Sequence, residues 1–286
     1  MGFYTSIARA KSELRATTNV DDSILRKYIE DVSNRIDWIM GFRTNGGSRP
    51  AFLPYTESRQ FPITAKTVST PQNTLQFPDP LLAVTSVSIE GSSVLANVQM
   101  YPSNQTPCHV LRMTNGDFWG NYCVDNFSTP ARVTITGVWG YNTDYSQAWA
   151  SVDTLQAGIN ASVTALTVAD VDGADLDGFT PRISAGNYLK IDSEVMQVNA
   201  TDTVTNIVTV RRGVLGTTAS IHSNGASVAT YQVDGVIERI TARQAGLLYA
   251  RRGAFTSETT PEGGVVSFPA DLQYELTNVL KEYQYG

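Results

Sequence analysis

Between residues 21 and 41 apolar side chains recur at three- and four-residue steps. Ile24, Leu25, Tyr28, Ile29, Val32, Ile36, Ile39 and Met40 share one face, and Arg26, Lys27, Glu30, Asp31, Asn34 and Arg35 share the other. That spacing predicts an amphipathic helix. Asn19 or Asp21 can cap it, Asp21 and Asp22 suit its positive end, and Gly41 can terminate it. Ile7, Ala10 and Leu14 predict a shorter helix over Thr5–Arg15, so residues 5–41 are expected to form a helical hairpin.

From 43 to 142 the pattern changes to β and loop. Gly46-Gly47-Ser48-Arg49-Pro50 marks a bend. Pro54, Pro62, Pro71, Pro78, Pro80, Pro102 and Pro107 interrupt the short strands, which predicts edges and loops in place of a deep central sheet. A strand over Val84–Ile89 should enter a turn at Glu90-Gly91. Residues 132–141 alternate Val133, Ile135, Gly137 and Trp139 against Thr134, Thr136 and Val138, the pattern of a half-buried strand.

Residues 153–231 have a different texture: short β-type runs, turn signals, few aromatics and no apolar helix pattern. Strands are predicted over 162–168, 188–192, 194–198 and 207–211, and another begins at Val228. Asp192-Ser193-Glu194 is the turn between the second and third. About five short strands at regular spacing suggest a small barrel or sandwich. Removing this stretch in thought leaves a continuous mixed protein. The expected fold is therefore α+β: a host of residues 1–152 and 232–286 with an all-β domain, 153–231, inserted into it.

After the insert, a helix over 234–252 should place Ile237, Ile240, Gln244, Leu247 and Leu248 inward. Arg251 and Arg252 fall in its last turn and Gly253 ends it. A polar loop with Pro261 and Gly263-Gly264 leads to Phe268-Pro269. Leu272, Leu276, Val279, Leu280 and Tyr283 then form an apolar stripe, in an arm spanning 255–286. Such a helix either folds back on its own core or lays its stripe into a partner's groove.

Composition narrows the function. The 286 residues carry 27 Asp+Glu against 21 Lys+Arg, a net charge of −6, with no basic block. Affinity for phosphate backbones comes chiefly from clustered Lys and Arg, so general nucleic-acid binding is disfavoured. No run has the length of a transmembrane helix. The N-terminus lacks the apolar core of a signal peptide, and Met1-Gly2 with Ser6 matches only the loose myristoylation pattern. Cys108 and Cys123 show no C-x-x-C spacing, which fits assembly in a reducing cytoplasm and leaves a single bridge open. Without a secretory signal the N-x-S/T triplets at Asn104, Asn126, Asn160 and Asn199 carry little meaning.

Candidate chemistry is sparse. His109 and His222 make no zinc pair, and the serine-hydrolase and phosphate-loop motifs are absent. The segment Asp170-Val171-Asp172-Gly173-Ala174-Asp175-Leu176-Asp177-Gly178 departs from the calcium-loop template. That template wants glycine sixth and glutamate twelfth, where this chain has Asp175 and Pro181. A solvated Asp-Gly turn is expected there. Asp192 and Glu194 could be an acid and base, but two carboxylates around a turn are more simply a solvated hairpin. His222 is expected to pack or cap. Arg211-Arg212-Gly213 and Arg251-Arg252-Gly253 sit in different contexts and read as coincidence. Neither catalytic residues, a metal nor a cofactor is expected.

Three stretches carry a resemblance. Asp21-Asp22-Ser23-Ile24-Leu25-Arg26-Lys27-Tyr28-Ile29, Val133-Thr134-Ile135-Thr136-Gly137-Val138-Trp139-Gly140-Tyr141 and Ala245-Gly246-Leu247-Leu248-Tyr249-Ala250-Arg251-Arg252-Gly253-Ala254-Phe255 resemble, in order, parts of the head–tail connector (adaptor) family of tailed bacteriophages. Within 153–231, Ile191-Asp192-Ser193-Glu194-Val195-Met196 and Arg212-Gly213-Val214-Leu215-Gly216-Thr217-Thr218, with His222 and Gly225-Ala226, resemble a small β module of phage virion proteins. Residues 43–131 match least.

The resemblance implies a non-enzymatic ring, usually twelvefold, built through heterologous interfaces in the neck of the virion. Its partners would be the portal, tail-side neck or tail proteins and further copies of itself. DNA would pass through without sequence-specific binding, and no membrane would be involved. Leu272, Leu276, Val279, Leu280 and Tyr283 would dock on the portal or a neighbouring subunit, with the 255–268 loop allowing the arm to swing. Two other classes compete: a tail-fibre or baseplate module contacting host surface glycan, and a glycan hydrolase using Asp192 and Glu194 or the Asp170–Asp177 cluster as carboxylates.

Overall fold

The computed structural model describes residues 3–14, 21–40, 43–44, 47–48, 50–70, 72–122, 131–250 and 270–284. The chain divides into two compact units, Phe52–Ala148 and the combination of Met1–Ala51 with Trp149–Gly286. Among the described residues, four α-helices and antiparallel strands make the class mixed α+β, with more strand than helix. The predicted Asn19 cap, the Gly41 terminator, the 255–268 loop, Arg251, Arg252 and Cys123 lie outside the described residues.

Along the chain come α1 (Ile7–Leu14), α2 (Asp22–Met40) and the small pair β1 (Arg43–Thr44) and β2 (Gly47–Ser48). The Phe52–Ala148 unit then holds β3 (Tyr55–Pro62), β4 (Val68–Ser69), β5 (Thr74–Ile89), β6 (Ser92–Ser93), β7 (Val98–Met100), β8 (Cys108–Met113) and β9 (Arg132–Trp139). There follow β10 (Trp149–Thr154), β11 (Ala165–Thr167), β12 (Tyr188–Ile191), β13 (Glu194–Asp202), β14 (Ile207–Arg211) and β15 (Ser227–Tyr231). Helices α3 (Gly235–Ala250) and α4 (Ala270–Gln284) complete the order.

In the Phe52–Ala148 unit the strands run β3-β9-β5-β8-β7, all antiparallel, with β4 and β6 also paired to β5. Strand β9 buries Val133, Ile135, Gly137 and Trp139, as its alternation predicts. Trp139 packs against Phe61 and Phe77, with ring centroids 5.8 and 5.9 Å away. The Arg59 guanidinium covers the Trp139 ring at 4.5 Å and pairs with Glu57 and Asp79.

The proline-based expectation of edges and loops fails at β5. This sixteen-residue strand lies between β9 and β8 and passes through Pro78 and Pro80. Its pairing with β8 jumps from Gln76 to Leu81, and its pairing with β9 begins at Leu81. Both prolines therefore sit in a register break, where their missing N–H groups cost no ladder bond. The predicted Val84–Ile89 strand is only the distal end of β5.

In the other unit the strand order is β10-β15-β12-β13-β14-β11. An isolated bridge joins Leu155, beyond β10, to Val168, beyond β11, and Gln156 donates its N–H to the Thr167 carbonyl at 2.8 Å. The two edges of the sheet thus meet, which removes the exposed ladder of an open edge. Leu166, Val168, Leu189, Ile191, Met196, Val198, Val208 and Val228 fill the interior. Strand β10 crosses the predicted boundary at residue 152 and pairs with β15 on both sides of it.

The same unit contains the helices. Helices α1 and α2 pack on α3, and α4 packs on α2. Helix α2 buries Leu25, Ile29, Val32, Ile36 and Met40, but Ile24 is exposed. On α3 the prediction placed Leu248 inside, and it is instead 41% exposed. The buried face is built from Ile237, Ile240, Thr241, Ala242, Ala245 and Gly246. Small residues there let α1 approach closely: a Cβ at Gly246 would lie 3.1 Å from Leu14 Cγ. The helices also bond to the sheet. Phe3 N donates to Tyr188 Oη at 3.2 Å, Ile7 N to the Ala185 carbonyl at 3.1 Å, and Arg26 to the Asn199 carbonyl at 2.9 Å.

Gly137 is required by the approach of β5 to β9, because a Cβ there would lie 2.2 Å from the Ala83 carbonyl oxygen. Backbone cannot yield as a flexible side chain does. Gly137→Ala should destabilise the Phe52–Ala148 unit by about 1–3 kcal/mol. Thermal unfolding followed by tryptophan fluorescence would show this as a lower midpoint.

Candidate functional site

The two-residue turn between β12 and β13 places Asp192 in the left-handed region, at φ 54°, and leaves its side chain 68% exposed. Glu194, two residues later, is fully buried. The prediction of a solvated carboxylate pair is therefore correct for Asp192 and wrong for Glu194. The reason is Arg212, which neutralises Glu194 from the segment after β14. Its Nε reaches Glu194 Oε1 at 2.7 Å and its Nη2 reaches Oε2 at 2.8 Å.

Every donor of Arg212 is used. Besides the bidentate pair, Nη1 donates to the Asn160 and Val163 carbonyls at 2.9 and 2.7 Å, and Nη2 to the Ser220 carbonyl at 2.7 Å. Glu194 also accepts from Gly213 N at 3.0 Å and Ser220 N at 2.9 Å. Burial would raise the Glu194 carboxyl. Arg212, the Ser220 amide, His222 and the Gly213 amide outweigh burial and hold it down at about 2.

His222 completes the cluster. Its ring is fully buried, with Nδ1 2.7 Å from Asp192 Oδ2 and Nε2 2.9 Å from Glu194 Oε2. Ser220 Oγ is 3.3 Å from the same Nε2. Serine, histidine and aspartate thus occur in the order of a nucleophilic triad, but a general base must have a free nitrogen to take the serine proton. Nε2 faces the ionised Glu194, an acceptor, and the ring has no exposed surface. This arrangement locks a loop onto β13 and gives no route for acyl transfer. His222 is also clamped by its backbone, which exchanges bonds with Ile159 at 2.9 and 3.0 Å.

The residues missed from sequence are Arg212 and Ser220. The signal was present in the Arg212–Thr218 tract. Thr217 Oγ1 accepts from Val195 N at 3.0 Å and donates to the Val214 carbonyl at 2.8 Å. The tract fastens the turn after β14 to the start of β13.

The Asp170–Gly178 segment is more bonded than a solvated turn. Asp170 accepts from Gly173 N and from Arg182, both at 2.9 Å. Asp175 Oδ1 accepts from Asp177 N at 3.0 Å and Phe179 N at 2.8 Å. Among the described residues no three His, Cys, Asp or Glu side chains converge as metal ligands. Cys108 is buried in the other unit, where burial pushes its thiol up, and burial lowers the neighbouring His109. An open cleft of about 830 Å³ lies between α1, α2 and the 178–185 loop. Its cations are already engaged, Lys11 with Asp22 and Arg26 with Asn199.

Of the terminal stripe, Leu276 and Leu280 are buried inside the chain, on a helix packed against α2. At these two positions the stripe has cover of its own and is not open to a partner in the single chain. Val279 and Tyr283 are half-buried, and the surroundings of Leu272 lie outside the described residues. Burial raises the Tyr283 phenol, with Asp234 adding to the effect. No helix among the described residues is long and apolar enough to cross a membrane. No protein-family model matches the chain, and no curated protein matches it.

Two outcomes follow. Glu194 has a folded value below its ordinary 4.5, so its contribution is present above about pH 4.5 and is lost as pH falls towards 2. Urea unfolding of this unit should lose on the order of 3 kcal/mol across that window. Leu280→Asp places a charge in a fully buried position and should cost about 3 kcal/mol or more, visible as a lower thermal midpoint of the isolated chain. An unchanged midpoint would return the stripe to the role of a free docking face.

Proposed function

We propose that the chain is a structural virion protein of a tailed phage. In this reading it is a head–tail connector (adaptor) subunit that forms a ring between portal and tail around the DNA exit channel. Residues 1–152 and 232–286 would be the connector host, and 153–231 an inserted β module. One observation carries the reading. Helices α1 and α2 pack on α3 although strands β1 to β15 lie between them in sequence, so a helical body is assembled from segments before and after the sheets. The three stretches that resemble the connector family occur in the same order, the first running into α2 and the third beginning in α3.

Two further points support it. The carboxylates that a glycan hydrolase would use are not a free pair, because Glu194 is buried against Arg212 and His222. The net charge of −6 suits a wall along which DNA slides without adhering. Ring closure would come from heterologous contacts between identical subunits, and many weak copies of one contact add through avidity. The portal, tail-side neck or tail proteins and further copies of the chain are the partners in this reading, and the neck of the virion is its location.

The test is the mass of the purified chain alone and mixed with the portal of the same particle, by light scattering after size exclusion. A ring of about twelve copies on the portal is the expected result. If the chain stays monomeric with the portal and instead binds host surface glycan on an array, it belongs to a tail-fibre or baseplate module.

A further inference from the structure

Arg9, in the first turn of α1, is a meeting point for three elements. Its guanidinium lies over the Phe179 ring at 3.8 Å. Nη2 pairs with Asp175 Oδ2 at 3.1 Å and with Asp177, both from the loop between β11 and β12. Nε faces Glu238 Oε1 of α3 at 3.7 Å. One cation therefore serves three carboxylates. Arg9 is 16% exposed and Glu238 26%, so water screens their interaction only partly.

The loop that Arg9 holds is already shaped. Asp175 accepts from the Asp177 and Phe179 amides, its own N–H donates to the Phe179 carbonyl at 2.8 Å, and Gly178 N donates to the Asp175 carbonyl at 3.1 Å. Docking of this preformed turn thus rests on Arg9, through charge and through the Phe179 face. Among the described residues the charged groups facing Glu238 are Arg9 from α1 and Asp175 and Asp177 from the loop. On its own element Glu238 N donates to the Asp234 carbonyl at 2.9 Å. From α2's end, Asp21 meets Tyr249 about three turns further along α3.

We propose that this cluster is a pH-dependent clasp. With Glu238 protonated, Arg9 holds Asp175 and Asp177 and pins residues 175–179 to α1 and α3. With Glu238 ionised, a third carboxylate competes for the same guanidinium and the loop is released, carrying Leu176 and Phe179 with it.

The direction of the effect follows from the surroundings. Burial pushes the Glu238 carboxyl up, Arg9 draws it down, and Asp177 and Asp175 push it up again, to about 7 from an ordinary 4.5. A carboxyl raised in the closed form favours closure while it is protonated. Closure is therefore strengthened below about pH 7 and weakened as pH rises through it. At pH low enough to protonate Glu238 in the open form as well, no further gain follows.

Hydrogen–deuterium exchange of the full chain over peptides spanning 172–182 tests this, with wild type compared to Glu238→Gln at the same pH so that intrinsic exchange chemistry cancels. At pH 6 the two should exchange alike. At pH 8.5 wild type should exchange severalfold faster, because ionised Glu238 draws on the cation that holds the loop carboxylates. Equal exchange at both pH values, or the same difference at both, would overturn the clasp. Arg9→Met should expose the loop at both pH values, and persisting protection would also overturn it. If Arg9→Met does not fold, the Glu238→Gln comparison decides alone.

Discussion

An ionised carboxylate survives in a protein interior only when its lone pairs are fully engaged, and Glu194 meets that condition at the start of β13. Five donors converge on its two oxygens, two from Arg212, two from backbone amides and one from His222. Each donor comes from the far side of the 194–222 excursion, so the cluster fixes where that excursion closes. Arg212 then extends the closure to the Asn160 and Val163 carbonyls, before β11. Removing either member of the pair would leave its partner as a lone buried charge, which costs far more than the pair contributes. The cluster is therefore a constraint on register and closure more than a source of stability.

This explains why a short acidic turn can end in two opposite environments. Asp192 lies in the hairpin turn and Glu194, two residues on, opens the next strand, and alternation sends neighbouring-but-one side chains to the same face only while the strand stays regular. The left-handed Asp192 breaks that regularity. One carboxylate stays at the surface and caps His222 from outside, and the other enters the interior. No local pattern encodes the difference. It is decided by an arginine eighteen residues on, with the loop that follows it.

What the sequence made legible was whatever repeats with a short period. The apolar face of α2 and the alternation of β9 are properties of consecutive residues, and both strands and helix occupy nearly the expected bounds. The closed sheet was legible as regularly spaced strands. Long-range relations were not. Nothing near Pro78 and Pro80 signals that β8 and β9 both leave the prolines unpaired, so a central strand read as loop. Nothing near Leu248 says that α3 will turn its alanines and Gly246 to the helices instead. Arg9, Asp175 and Glu238 come from three remote stretches, and their meeting has no signature in any of them.

The buried charges also divide the labour within the larger unit. Glu194 is surrounded by donors and is held ionised across the physiological range. Asp37 and Glu238 are raised by burial, to about 6 and about 7. Asp37 nevertheless joins Tyr4 to the Ala51 amide, so its proton inventory changes inside a helix–terminus junction with little freedom to move. Glu238 differs in facing a loop whose carboxylates share Arg9 with it. A group with a raised value, a competitor for its counter-ion and an element able to leave is the combination from which a conformational response can arise. Glu194 lacks the raised value, and its cluster ties the segments around Arg212 and His222 to the start of β13.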